Sequence, residues 1–324
     1  MVSVDSESSH PAGGGGGMSH TVTVSDISKW YGQVVALNGI SLRLQAGVTG
    51  LLGPNGAGKS TLIKLLTGQL RPSRGEVTVL GQSPWNNADL NRFIGFCPEQ
   101  DAFYEHMSGH RFVYALLSLH GYSRAEVQQR TERAISEVGM TEVAHGKIGG
   151  YSKGMRQRIK LAQAIAHDPQ VLLLDEPVTG LDPVGRRHII DLILKWGGEG
   201  RTVLVSSHIL HEVEAMTSTV LLINQGRLLA EGDVHEIREL IDEHPHHVTI
   251  TTSDPRGLAA ELIADPAVVS VRFDEESSSV TAETVKPEEF YKRIPLLVAQ
   301  KGLRVDEMSS PDDNLEAVFD YLVK

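Results

Sequence analysis

The sequence predicts an α/β protein built on a parallel sheet and followed by a smaller α+β domain. Three observations carry that expectation. Val48 to Leu52 is a short apolar strand that runs into a glycine-rich loop and then a helix, Lys59 to Thr67, closed by Gly68. Val171 to Leu174 and Thr202 to Val205 are buried-type strands separated by a helical stretch, Arg186 to Trp196, a βαβ unit that requires parallel strands. Beyond about residue 244 the pattern changes to β-α-β-β-α-β.

In chain order, residues 1–19 are mostly Ser, Gly, Asp, Glu and His around the pentaglycine Gly13 to Gly17. They lack the basic start and apolar core of a signal peptide and are expected to form a disordered tail, with Met18 as a second possible start. Thr21 to Val24 and Ile40 to Leu44 alternate apolar and polar residues, as half-exposed antiparallel strands do, and Asn38-Gly39 between them is a turn signal. Arg111 to Val138 is helical, with Phe112, Ala115, Leu116 and Leu119 on one expected apolar face and Ala134, Ile135 and Val138 on a later one; a helical subdomain over about 101–165 follows. Val220 to Ile223 and Arg227 to Ala230 flank Asn224-Gln225-Gly226, a hairpin. His244-Pro245-His246-His247 reads as a solvated linker rather than a metal site, since no further ligand stands at a known spacing.

The final third supplies strands at Val248 to Thr251, Val268 to Phe273, Val280 to Ala282 and Leu303 to Asp306. Helices over Leu258 to Ile263, entered through Pro255-Arg256-Gly257, and over Glu288 to Gln300 complete a ferredoxin-like order, and a last helix is expected at Asn314 to Leu322. The expected organisation is therefore a tail over 1–19, a main domain over 20–243 and a small accessory domain over 244–324.

Composition bounds the function. Thirty Lys and Arg against 41 Asp and Glu give a net charge of −11, which argues against a sequence-independent hold on nucleic acid. No apolar run approaches the roughly 18 residues that span a bilayer. The single cysteine, Cys97, excludes an internal disulfide and a multi-thiolate zinc site, which suits a cytoplasmic chain, and it reads as a small packing residue.

The chemistry concentrates in two motifs. Gly53-Pro54-Asn55-Gly56-Ala57-Gly58-Lys59-Ser60, followed by Thr61, fits the phosphate-loop pattern between a strand and a helix. Its glycines let backbone N–H groups turn onto phosphates at a helix N-terminus; Lys59 would neutralise the β and γ phosphates and the Ser60 hydroxyl would ligate Mg²⁺. Asp175 and Glu176 close the strand Val171 to Leu174, at the sheet end where such folds bind ligands. Asp175 would hold Mg²⁺ and Glu176 would orient or deprotonate an attacking water.

With Gln100 in Cys97-Pro98-Glu99-Gln100, Tyr151-Ser152-Lys153-Gly154-Met155-Arg156-Gln157-Arg158, Thr179-Gly180-Leu181-Asp182 and Ser206-Ser207-His208 added in this order, the chain from about Val22 to Asp233 resembles the nucleotide-binding subunit of an ABC transporter. The resemblance implies a P-loop NTPase of the ABC type and an ATPase using ATP and Mg²⁺. It implies roles for Tyr31, which would stack on adenine with Trp30 as its competitor, for Gln100, which would touch Mg²⁺ and the lytic water, and for His208, which would contact the γ-phosphate. Ser152 and Gly154 would reach the nucleotide of the opposite subunit, and Asp182 would lie on the loop crossing the dimer interface, although a turn residue before Pro183 explains it equally.

The signature segment departs from the family's usual Leu-Ser-Gly-Gly-Gln. It keeps the serine and the second glycine, and its Ser-Lys-Gly-Met form resembles a branch of exporter-type subunits. Asn314 to Phe319 is similar to the closing segment of a small domain that follows many such subunits. One phosphate loop and one signature segment per chain imply a homodimer with two composite sites, on the cytoplasmic face of the membrane, with a separate membrane-spanning permease subunit as partner. A DNA-repair ATPase of related fold would need a long coiled coil and a translation ATPase two fused nucleotide domains, neither of which is present. An ABC-type ATPase driving a non-transport envelope or regulatory process stays open.

Overall fold

A computed structural model describes residues 21–233, 246–274 and 278–310. Strands β1 (Val22–Tyr31), β2 (Val34–Leu44) and β4 (Arg74–Val79) form an antiparallel sheet in the order β2-β1-β4. A six-stranded sheet runs β5-β6-β7-β3-β8-β9, from β3 (Gly47–Leu52), β5 (Ile94–Cys97), β6 (Val171–Leu174), β7 (Thr202–Ser207), β8 (Thr219–Asn224) and β9 (Arg227–Asp233). All its neighbours are parallel except the β8–β9 hairpin. That hairpin turns where expected, with Gln225 at φ 46° and Gly226 at φ 75°, the left-handed pair a two-residue turn demands.

Both faces of the large sheet are buried, which is why its strands read as unbroken apolar runs. Leu172, Leu174, Val203 and Val205 enter one core with the helical subdomain and α5 (Pro183–Gly198). Leu51, Val171, Leu173 and Leu204 enter the other, against α1 (Lys59–Leu66) and the antiparallel sheet. The helix between β6 and β7 is longer than its apolar spacing suggested, because Asp182 caps it and Pro183 begins it.

The helical subdomain consists of α2 (Gly109–Leu117), α3 (Arg124–Glu137) and α4 (Lys153–Ile165). Ser108, Ser123 and Ser152 each cap one of them by accepting a backbone N–H, and Ser123 with Glu126 closes a capping box. The expected apolar face of α2 needs correction. Phe112, Val113 and Leu117 form the buried face of α2, and Ala115 lies outside it and is exposed; Leu119 is 81% exposed because α2 ends at Leu117 and Gly121, at φ 79°, turns the chain away.

The last described part contains β10 (His246–Thr252), α7 (Pro255–Leu262), β11 (Val268–Asp274), β12 (Ser279–Thr284), α8 (Pro287–Lys301) and β13 (Val305–Ser309), with α6 (Leu210–Glu214) earlier in the chain. Its sheet order β11-β12-β10-β13 is the ferredoxin-like arrangement expected. His246 and His247 do not belong to a linker: both lie in β10, and His247 Nε2 stands 3.2 Å from Glu283 Oε1 across the sheet. The expected tail over 1–19, His244 and the helix over 314–322 lie outside the described residues.

Candidate active site

The loop Gly53–Ser60 leaves β3 and enters α1 at the end of the parallel sheet. Gly58, at φ 110°, caps α1 without a side-chain partner, and no residue with a Cβ fits there: the atom would stand 2.8 Å from Ala36 O and 2.7 Å from Leu37 Cδ2. A Cβ at Gly53 would stand 2.3 Å from Ile223 O. The loop is braced from outside its own sequence by Gly226, whose N–H donates to Ala57 O at 2.9 Å and whose carbonyl accepts from Asn38 N at 2.8 Å. A cavity of about 180 Å³ opens on it, lined by Ala36, the loop from Pro54 to Thr61, Glu99 and Glu176.

Lys59 and Glu176 meet in this cavity. The Lys59 ammonium donates to Gly53 O at 2.6 Å and Pro54 O at 3.2 Å and lies 3.3 Å from Glu176 Oε1, with both side chains almost wholly buried. Glu176 Oε2 accepts from Thr179 Oγ1 at 2.8 Å and stands 2.9 Å from His208 Nδ1. The backbone of Glu176 is held in the left-handed region, at φ 50°, with its N–H on Ser206 Oγ at 2.9 Å; that hydroxyl donates to Asp175 Oδ1 at 2.7 Å. Non-glycine residues adopt this φ at a cost of order 1 kcal/mol or more, and here the two flanking hydrogen bonds hold it. The carboxylate's Oε1 is buried without a hydrogen bond of its own.

This arrangement fits a phosphorylated ligand and a divalent cation. The loop offers unpaired helix N-terminal amides and an ammonium, and Ser60 and Asp175 supply a hydroxyl and a carboxylate oxygen, donors that suit Mg²⁺. No group of three or more His, Cys, Asp or Glu side chains that could hold a metal exists among the described residues. The chain would therefore contribute Ser60 and Asp175, with Gln100 from the bordering loop, and leave the remaining positions to phosphate and water, as magnesium sites in nucleotide enzymes do.

Gln100 lies on the exposed loop after β5 and lines a second cavity of about 360 Å³ with Glu99, Asp101, Lys153, Arg156, Lys160, Glu176 and Thr179. Glu99 and Glu176 border both cavities. Cys97 beneath it is buried and its thiol is pushed up to about 12 by burial, an inert packing group as expected. Not every expected site residue joins the cluster. Tyr31 is 46% exposed near the tip of the β1–β2 hairpin, with Lys29 over its ring, and lines neither cavity. Ser152, Gly154 and Asp182 also line neither; Ser152 caps α4 and Asp182 caps α5 by accepting from Gly185 N at 2.7 Å.

Thr179, Ser206, Glu99 and Gly226 are the residues that sequence reasoning missed as site members. Thr179 and Ser206 stood in motifs already singled out, but only their proximity to Glu176 and Asp175 gives them a function.

The ABC transporter family profile matches residues 37–179. The chain is 31% identical over 301 residues to the ABC transporter ATP-binding protein YxlF of Bacillus subtilis, covering 92% of this chain and 98% of that one. It is 30% identical over 300 residues to the daunorubicin/doxorubicin resistance ATP-binding protein DrrA of Streptomyces peucetius, covering 92% and 91%. The solved structure of cbiO1 from Clostridium perfringens, part of an ABC transporter complex, superposes with a TM-score of 0.61 at 27% identity over 68% of this chain and 93% of that one. A phosphate loop whose lysine meets the glutamate that follows β6, in a chain matched nearly end to end by such relatives, makes this protein a member of the ABC transporter family, one of its ATP-binding subunits and an ATPase.

Proposed function

We propose that the chain drives export of a substrate across the cytoplasmic membrane through a separate membrane-spanning partner, hydrolysing ATP at two composite sites of a homodimer. The observation that carries the catalytic part is the placement of Glu176: buried, oriented by Thr179 and Ser206, and shared between Lys59 and His208. A carboxylate fixed in this way accepts a proton from an attacking water without first reorganising. Lys59 would meet the β and γ phosphates, and a phosphate there competes with Glu176 for the ammonium, leaving the carboxylate freer to act as base. His208 would hydrogen-bond the γ-phosphate, and Ser60, Asp175 and Gln100 would hold Mg²⁺, which supplies charge neutralisation to the transferring phosphoryl group. Tyr31 would carry the adenine ring, for which an exposed aromatic face is suited.

Export is supported by the similarity to a drug-resistance ATP-binding protein over 92% of this chain, the small C-terminal part included. Among the described residues no helix is long and apolar enough to cross a membrane, and the passage itself is assigned to the partner. The homodimer reading is supported by Ser152, which is exposed at a helix N-terminus and does not line its own phosphate-loop cavity.

Lys59→Ala tests the site. Loss of a charge-assisted contact to phosphate should weaken ATP binding about a hundredfold, read by nucleotide titration. Unchanged binding would remove the phosphate-loop reading. Co-purification from membranes with an integral protein tests the transport reading.

A further inference from the structure

Lys160 is a buried lysine that the chemistry above does not use. It lies two turns along α4 from Ser152 and is 5% exposed. Its ammonium has three protons and three partners: Pro98 O at 3.0 Å, Glu99 O at 2.7 Å and Asp101 Oδ1 at 3.1 Å. Two more side chains of the same helix hold the same stretch. Arg156 Nη1 reaches Glu105 Oε1 at 3.2 Å and Asp101 Oδ2 at 3.8 Å, and Gln157 Nε2 lies 3.5 Å from Cys97 Sγ.

These partners bracket Gln100 on both sides while leaving its side chain alone. The residue before it gives a carbonyl to Lys160 and the residue after it gives a carboxylate. Gln100 itself is exposed, makes no side-chain hydrogen bond among the described residues, and borders the cavity that also contains Glu176. A buried ammonium saturated by three acceptors resists separation from them, since any displacement of the loop strands a charge away from water. The backbone of the Gln100 loop is thus fixed to α4, and the side chain is free to reach toward the reacting centre.

We propose that Lys160 is a positioning residue for hydrolysis: it locks the Gln100 loop to the helix that starts at Ser152, so that the signature segment and Gln100 move as one body. This rests on the role given to Gln100 above. It makes the attitude of Gln100 in its own subunit depend on how Ser152 is engaged, and it explains why a chain would bury a lysine inside a helix that otherwise packs Ile159, Leu161 and Ala162.

The test is a double-mutant cycle on ATP turnover by the purified full-length chain, with the parent, Lys160→Met, Gln100→Ala and the double variant. Lys160→Met should lower kcat about tenfold and leave KM for ATP within about twofold, and the double variant should be no slower than Gln100→Ala within about twofold, since Lys160 acts through Gln100. A purely structural lysine would give losses that multiply. Multiplying losses, or a parental kcat in Lys160→Met, overturn the inference while leaving the reading of Gln100 intact. A parental kcat in Gln100→Ala overturns both. If Lys160→Met does not melt cooperatively, Asp101→Asn decides: this half-exposed partner of the same ammonium should cost about threefold in kcat, again absorbed by Gln100→Ala, and a null or multiplying effect sinks the proposal.

Discussion

Around the end of β3 and β6 the molecule buries Lys59, Asp175 and Glu176, with Gln157, Lys160 and Glu212 nearby, whereas the core of the sheet β10–β13 buries only Thr252 and Thr284 among its described polar side chains. Those two hydroxyls donate to Arg304 O and Ala267 O, each at 2.6 Å, and stitch loops to strands. Taking charge out of water costs several kcal/mol per ion unless it is paired. A chain that bears this cost repeatedly at one end of one sheet, and avoids it in a second core of its own, marks the first as the place of chemistry. The second core is held by Val248, Ile250, Leu258, Val280 and Phe290 and owes its stability to packing.

The comparison can be broken by perturbing each side separately. Phe290→Ala removes a fully buried ring from the small core and should cost about 3–5 kcal/mol of its stability, read by denaturant unfolding, with ATP affinity unchanged. A matching loss of ATP binding would show that the two cores are not independent. On the other side, Glu176→Gln keeps shape and removes the base. It should lower kcat about a hundredfold or more with ATP still bound, and a parental rate would remove the assigned role.

A third measurement sharpens the contrast through pH. Burial, aided by the neighbouring His120, pushes the His167 imidazole down to about 4, with its Nε2 against Ile94 O at 3.0 Å. The unfolded chain therefore binds this proton more readily than the folded one, and folding stability is lost as pH falls from about 6.5 to about 4. The His167 contribution should reach about 3 kcal/mol over that window and be removed in His167→Gln, leaving the smaller slope of His110, His120 and His188, which burial also holds low. The small core buries no titratable side chain among its described residues, so its own transition should be flat until the pH reaches the carboxylate range, where Glu283, held low by Ser270 and His247, begins to take up a proton.

Much of the site was legible because its parts are contiguous. A phosphate loop needs its glycines, lysine and serine within eight residues, and an apolar strand ending in Asp175-Glu176 places those carboxylates at the C-terminal end of a sheet strand. The face of α2 was not legible. Apolar spacing could not show that Gly121 would end the helical run early and that Val113, rather than Ala115, would meet the core. His246 and His247 read as linker because the partners that make them a strand, Thr284 and Glu283, lie 38 and 36 residues away.

By itself, the sequence determined that this chain holds a phosphate loop, an acidic pair and a signature segment on an α/β sheet with a ferredoxin-like appendage, since each of these is written in adjacent residues and local periodicity. Only the tertiary structure decided which groups act on one another. The contacts of Glu176 with Lys59, Thr179 and His208, of Ser206 with Asp175, of Gly226 with Ala57 and of Lys160 with the Gln100 loop mostly join residues tens or more than a hundred positions apart. Such pairings are set by which strands lie side by side and by the need of every buried polar group for a partner, and neither is stated by the order of residues along the chain.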